Sequence, residues 1–248
     1  FQVTVDAREQ APAAAHRDMY LDAEGQVNRD LAVNGPLAGG IPGEAAGLGH
    51  LARHYGRLPL AASLQPAIRL AREGFPVDEK YHEMMAWRID VIKRWPAAAA
   101  ALLADGENPP VGYVIKLPDL AWVLEHVAER GAAGFYSGPV AERVVTGVRE
   151  AGGLWTLEDF AAYKVKERAP IRTRYGDYEL VTAPPPSSGG VAIAEMLNIL
   201  EPYPINELEP VPRAHLIVEA LRRPSRDRAA HLGAPDSAAP PPAPPPPP

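Results

Sequence analysis

Along most of this chain the apolar residues recur at helical rather than alternating spacing. Leu120, Val123, Leu124 and Val127 fall at i, i+3, i+4 and i+7, which places four apolar side chains on one helix face behind Pro118-Asp119. Val140, Val144, Val145 and Val148 predict another helix, stopped by Gly152-Gly153. Leu48, Leu51, Ala52 and Tyr55 share a face opened by Gly39-Gly40-Ile41-Pro42-Gly43, and the small residues Ala45, Ala46, Gly47 and Gly49 in the same segment imply that something packs closely there. Leu64, Ala67, Ile68 and Ala71 predict a helix that starts close to Pro66, because proline is tolerated in a first turn but not in an interior. Met85, Ile89 and Ile92 give a further stripe, which the alanines 97–101 restart after Pro96. Gly131 to Gly138 reads as a turn holding Phe135-Tyr136, and Thr156 caps a short helix with Glu158 and Asp159 in its first turn. A stiff linker of Pro202, Pro204, Pro210 and Pro212 leads to a last helix through Ala214, Ile217, Val218 and Leu221.

Strands are few. Phe1, Val3 and Val5 alternate with Gln2, Thr4 and Asp6, the pattern of a half-buried strand. Tyr113-Val114-Ile115 makes one short strand, and 168–182 predicts a hairpin turning at Gly176-Asp177. The strand Tyr178–Thr182 runs into Ala183-Pro184-Pro185-Pro186-Ser187-Ser188-Gly189-Gly190, then into a helix with Ile193, Met196, Leu197 and Leu200 on one face. Ser187 or Ser188 is the expected N-cap; a nucleophile elbow is the poorer reading, since Pro185 and Pro186 stand where it needs glycine. The class is mixed α/β (α+β), a helix-rich body that borrows its sheet from elsewhere.

Composition narrows the function. A formal charge of −6 argues against a nucleic-acid groove, which depends on concentrated Lys and Arg. There is no cysteine, hence no disulfide, thiolate nucleophile or Cys-ligated zinc, and no apolar run is long enough to span a membrane. No cofactor is implied. His50 and His54 stand four apart, but no acidic residue lies between them and the zincin pattern is absent, so they read as a solvated helix face. The chain starts at Phe1 within a strand, any signal peptide lying outside this sequence, and ends in a proline tail, Pro240 to Pro248 broken only by Ala243, expected to be polyproline II or disordered and to serve as a linker, dock in an aromatic groove or reflect an uncertain sequence assignment.

Chemistry gathers after the first strand, in Ala7-Arg8-Glu9-Gln10-Ala11-Pro12. A guanidinium at a strand end suits a carboxylate held bidentately, each charge-assisted bond being worth about 1.5–3 kcal/mol. The competing reading is an ion pair with Glu9 or Asp6 that merely fixes the loop.

Several segments, in order, resemble the large subunit of gamma-glutamyltransferase (gamma-glutamyl transpeptidase). They are Asp6 to Pro12, Ile41-Pro42-Gly43, Tyr55 to Pro59, Gln65 to Phe75, Phe135-Tyr136-Ser137-Gly138, Gly152-Gly153 through Glu158-Asp159, Pro184 to Gly190, and Asp227-Arg228 with Leu232-Gly233. Ala234 stands where that closing motif has aspartate, and Pro224 interrupts the final helix. The resemblance covers residues 1–235 as a large-subunit-like domain truncated at its N-terminus, leaving 236–248 as a proline-rich tail. It implies an N-terminal nucleophile hydrolase fold, a four-layer αββα sandwich to which this chain supplies mainly helices and a few strands. It implies removal of a γ-glutamyl group from glutathione or a similar amide, and its transfer to water, an amino acid or a peptide. The nucleophile would be the first threonine of a small subunit, so no catalytic residue carries over to this chain. What carries over is substrate binding: Arg8 on the α-carboxylate of the donor, with Glu9 in support. A periplasmic or secreted location follows from the same resemblance, and a glutaryl or cephalosporin-type acylase or a non-catalytic scaffold are its alternatives.

Overall fold

Helices dominate the computed structural model, which describes residues 2–233. The expectations for Phe1, Ala234 and the proline tail lie outside the described residues. Two compact units are present, one formed by Ala7–Val165 and the other by the N-terminal strand with the segment from Lys166 onward.

The unit Ala7–Val165 begins with α1 (Arg29–Asn34), whose N-cap Asn28 accepts from the Asp30 and Leu31 amides. Then come α2 (Glu44–His54), α3 (Leu60–Glu73), β2 (Phe75–Pro76, β1 belonging to the other unit), α4 (Glu79–Lys93), α5 (Pro96–Leu102) and β3 (Val114–Ile115). The unit closes with α6 (Pro118–Arg130), α7 (Ala133–Tyr136), α8 (Pro139–Glu150) and α9 (Leu157–Ala162). Strands β2 and β3 pair antiparallel with Phe75 opposite Ile115. Leu64 and Ile68 of α3 meet Val127 of α6 in a small apolar cluster. The main core is Ile41, Ala46, Tyr136, Ala141, Val145, Phe160 and Tyr163, with Phe135 and Trp155 packed against it. Phe160 is fully buried, and burial of a side chain of that size contributes about 1.5–3 kcal/mol.

Three expectations in this unit need correction. The Leu48, Leu51 and Tyr55 side of α2 is exposed, and the buried positions are Ala46 and Gly47. Helix α3 starts at Leu60, so Pro66 sits two turns inside it, with Leu64, Ile68 and Ala71 facing inward. The turn at 131–138 contains the helical turn α7, which sends Tyr136 into the core.

The other unit holds β1 (Thr4–Asp6), β4 (Lys166–Arg168), β5 (Ile171–Tyr175), β6 (Tyr178–Thr182), α10 (Ser188–Leu200) and α11 (Pro210–His231). Strand β1 pairs antiparallel with β4, Val5 opposite Glu167, and the mostly buried Asp6 carboxylate accepts from Arg168 Nε at 2.8 Å. The hairpin is formed by β5 and β6, with Tyr175 opposite Tyr178. Ser187 occupies the N-cap of α10, but its side chain makes no capping bond. On α10 Leu200 is buried while Ile193 is exposed. Pro210 and Pro212 belong to the first turn of α11 rather than to a linker, as their fixed φ and missing donors permit there. Helix α11 also continues through Pro224, and it buries Ala220 and Pro224 while Val218 and Leu221 stay exposed. No helix among the described residues is long and apolar enough to cross a membrane.

Candidate substrate-binding site

Arg8 and Glu9 lie in the extended segment between β1 and the bridge residue Gln10, and both side chains are exposed. Their backbone is far more constrained than their exposure suggests. Gln10 and Ile41 exchange two bonds, N to O at 3.1 Å and back at 2.7 Å, so the segment is laid against 39–43 as an isolated antiparallel bridge. Glu9 lies across Gly40, where an added Cβ would come within 3.0 Å of Glu9 Cγ. On the other side, Tyr163 donates its hydroxyl to the Arg8 carbonyl oxygen at 2.7 Å.

Tyr163 does not stand alone. It stacks on Tyr136 with ring centroids 5.3 Å apart and planes within 4°, and Tyr136 donates to the Pro42 carbonyl at 2.6 Å. Burial pushes the Tyr136 phenol above its ordinary pKa, so it stays protonated and keeps donating. Gly43 fills the corner between these contacts. A Cβ at Gly43 would lie 1.9 Å from Tyr163 Oη and 2.2 Å from the Ala7 carbonyl oxygen, and one at Gly47 would lie 2.7 Å from Ala7 Cβ. The small residues of α2 are therefore required by the approach of the segment that carries Arg8. Farther along, Asp159 Oδ1 accepts from the Ala13 amide at 2.8 Å, tying the stretch just after Pro12 to the N-terminal turn of α9. The geometry presents an exposed arginine on a backbone clamped from both sides, and a guanidinium is the group that suits an anionic partner.

Arg8 and Glu9 are the candidates the sequence offers, and no spacing pattern gives Tyr163, Tyr136 or Gly43 a part in supporting them. The available signal was local, with Phe135-Tyr136 and Tyr163 standing as apolar aromatics within turn-rich segments. A cavity of about 820 Å³ is lined in part by Tyr136 and Tyr163, with His50, Arg53, His54, Arg130 and Lys164 also on its wall. Neither Arg8 nor Glu9 lines it. His50 and His54 face each other at 4.5 Å between ring centroids, and no group of three or more His, Asp or Glu side chains among the described residues could hold a metal ion. In the other unit, burial and then the charge of Asp227 raise the pKa of Glu195.

The gamma-glutamyltranspeptidase family model matches residues 2–243. The chain is 38% identical over 236 residues to the glutathione hydrolase proenzyme of Pseudomonas sp. (strain A14), covering 94% of this chain and 41% of that protein. It is 36% identical over 241 residues to the acylase ACY 1 proenzyme of Pseudomonas sp. (strain V22), 94% of this chain and 43% of that protein. The chain thus spans about two fifths of the length of the curated relatives it matches. The crystal structure of Helicobacter pylori gamma-glutamyltranspeptidase superposes with a TM-score of 0.93 at 32% identity, over 96% of this chain and 69% of that one. The fold is accordingly α+β of the N-terminal nucleophile hydrolase type, of which this chain carries mostly helices. With the Arg8 segment, its clamp and the order of motifs all falling within the matched region, the chain belongs to the gamma-glutamyltranspeptidase family.

Proposed function

We propose that this chain is large-subunit sequence of a gamma-glutamyltransferase that cleaves γ-glutamyl amides such as glutathione through a γ-glutamyl-enzyme and passes the group to water, an amino acid or a peptide. Arg8 grips the α-carboxylate of the donor bidentately and Glu9 supports it. The nucleophile is the N-terminal threonine of a small subunit cut from the same precursor, with its own α-amine as base. No metal or cofactor takes part, and the enzyme works in the periplasm or outside the cell. Family membership and the name "glutathione hydrolase proenzyme" of a relative support the reaction class and the processing step.

The observation that carries the Arg8 role is an exposed arginine on a backbone clamped from both sides. The acylase relative keeps a second reading in view. Arg8 weighs against it, because a donor without an α-carboxylate offers that fork no partner. In the mature full-length enzyme, Arg8→Lys and Arg8→Ala should raise KM for a γ-glutamyl donor by more than about tenfold, since a lysine point charge does not replace a bidentate grip. An unchanged KM refutes the role.

A further inference from the structure

We propose that Tyr163 is the positioning residue for Arg8, holding the arginine's own backbone carbonyl so that the guanidinium meets the donor carboxylate from a fixed base. This rests on the reading of Arg8 as the carboxylate-binding residue. An arginine side chain has four rotatable bonds between its backbone and its planar head, so any freedom of the backbone is multiplied at the tip. A grip that depends on two parallel hydrogen bonds tolerates little of it.

Contacts on both sides restrict that freedom, and Tyr163 makes one on Arg8 itself. The Gln10–Ile41 bridge acts two residues later, and the Ala7 carbonyl abuts Gly43 one residue earlier. Between them the Arg8 carbonyl has the Tyr163 hydroxyl at 2.7 Å. The phenol is well placed to act as a rigid strut. Its residue is 8% exposed, its ring is stacked on Tyr136, and Tyr136 is fixed in turn to Pro42. The strut spans 155 positions of sequence, joining the end of the helical unit to its first residues. Tyr163 touches no substrate in this scheme; it acts only through Arg8.

The test is a double-mutant cycle in the full-length mature enzyme with a γ-glutamyl anilide donor, read as KM and kcat separately beside a thermal melt. Tyr163→Phe keeps the stacked ring and removes the strut; it should raise KM about threefold to tenfold, the size of one neutral hydrogen bond, with kcat within about twofold. In an Arg8→Ala background the same change should leave KM unaltered, because there is no guanidinium left to position. Tyr136→Phe, which keeps the ring stacked on Tyr163 and removes only its bond to the Pro42 carbonyl, should raise KM in the same direction by a smaller factor and covers the case in which the Tyr163 variant folds poorly. If Arg8→Ala raises KM but Tyr163→Phe does not, the positioning role is wrong and the Arg8 role stands. A rise of equal size with and without Arg8 makes Tyr163 a structural residue only. If Arg8→Ala itself leaves KM unchanged, the parent reading falls and this one with it.

Discussion

Asp159 shows how much one carboxylate can hold. Its Oδ2 accepts from the Thr156 amide at 3.0 Å and the Thr156 hydroxyl at 2.8 Å, closing a capping box on α9, while Oδ1 holds Ala13. Burial alone would raise its pKa, but the Ala13 amide and then the two Thr156 groups outweigh it and the net shift is downward. A carboxylate with a depressed folded pKa contributes stability that is fully present above the ordinary carboxylate range and is lost as pH falls through the lower folded value. Asp159→Asn should therefore lower the melting midpoint at pH 7, by an amount corresponding to about 1–2 kcal/mol. The gap to wild type should close as the pH is taken below 4, roughly the unperturbed Asp pKa; a gap independent of pH would refute the assignment. The Thr156 half of this arrangement is readable in sequence because its partners are three residues apart. The Ala13 half is not, since no local pattern specifies a partner 146 positions away.

At the scale of elements, helical spacing identified most of the longer helices, missed α1 and the short α7, and misjudged which sides the helices bury. On α2 the larger side chains Leu48 and Leu51 are 40% and 44% exposed, whereas Ala46 and Gly47 are inside. Periodicity weighs side chains by apolar bulk, but here the neighbour is the Ala7–Arg8 backbone, which only small residues can approach. Helix α3 makes the complementary point. Its first turn carries Leu60 in register with Leu64 and Ile68, but Pro66 argues in sequence for a start close to itself, because proline is tolerated in a first turn; the helix nevertheless begins at Leu60. An exposed proline two turns inside a helix deprives the Ala62 carbonyl of its partner. Pro66→Ala should accordingly stabilise the protein by about 2 kcal/mol, the interior penalty of about 3 less the entropy that proline removes from the unfolded chain. An unchanged or lower thermal midpoint in the full-length protein would show that the ring makes a contact worth more than the helix bond.

For the whole molecule, the proposal that a small subunit carries the nucleophile has a direct chemical readout. Intact-mass and N-terminal analysis of the purified full-length protein should find two polypeptides, one of them beginning with threonine. A single uncleaved polypeptide that turns over a γ-glutamyl donor would exclude the threonine-amine mechanism. Strand scarcity points the same way as the relatives' greater length. Among the described residues each sheet has two strands, β1 with β4, β2 with β3 and β5 with β6, far less sheet than a sandwich contains.

The sequence by itself determined most of the long helices, the β5–β6 hairpin, the capping of α9 and the family, and it supplied Arg8 and Glu9 as the proposed substrate-binding pair, because each depends on neighbours within a turn or on motifs in fixed order. Only the tertiary structure decided which helix faces are buried, that β4 joins β1, and that Tyr163 and Asp159 secure the two ends of the Arg8 segment. Those are contacts between distant positions, and they arise when backbone segments pack closely enough for a hydroxyl or carboxylate to find a partner that sequence spacing does not encode.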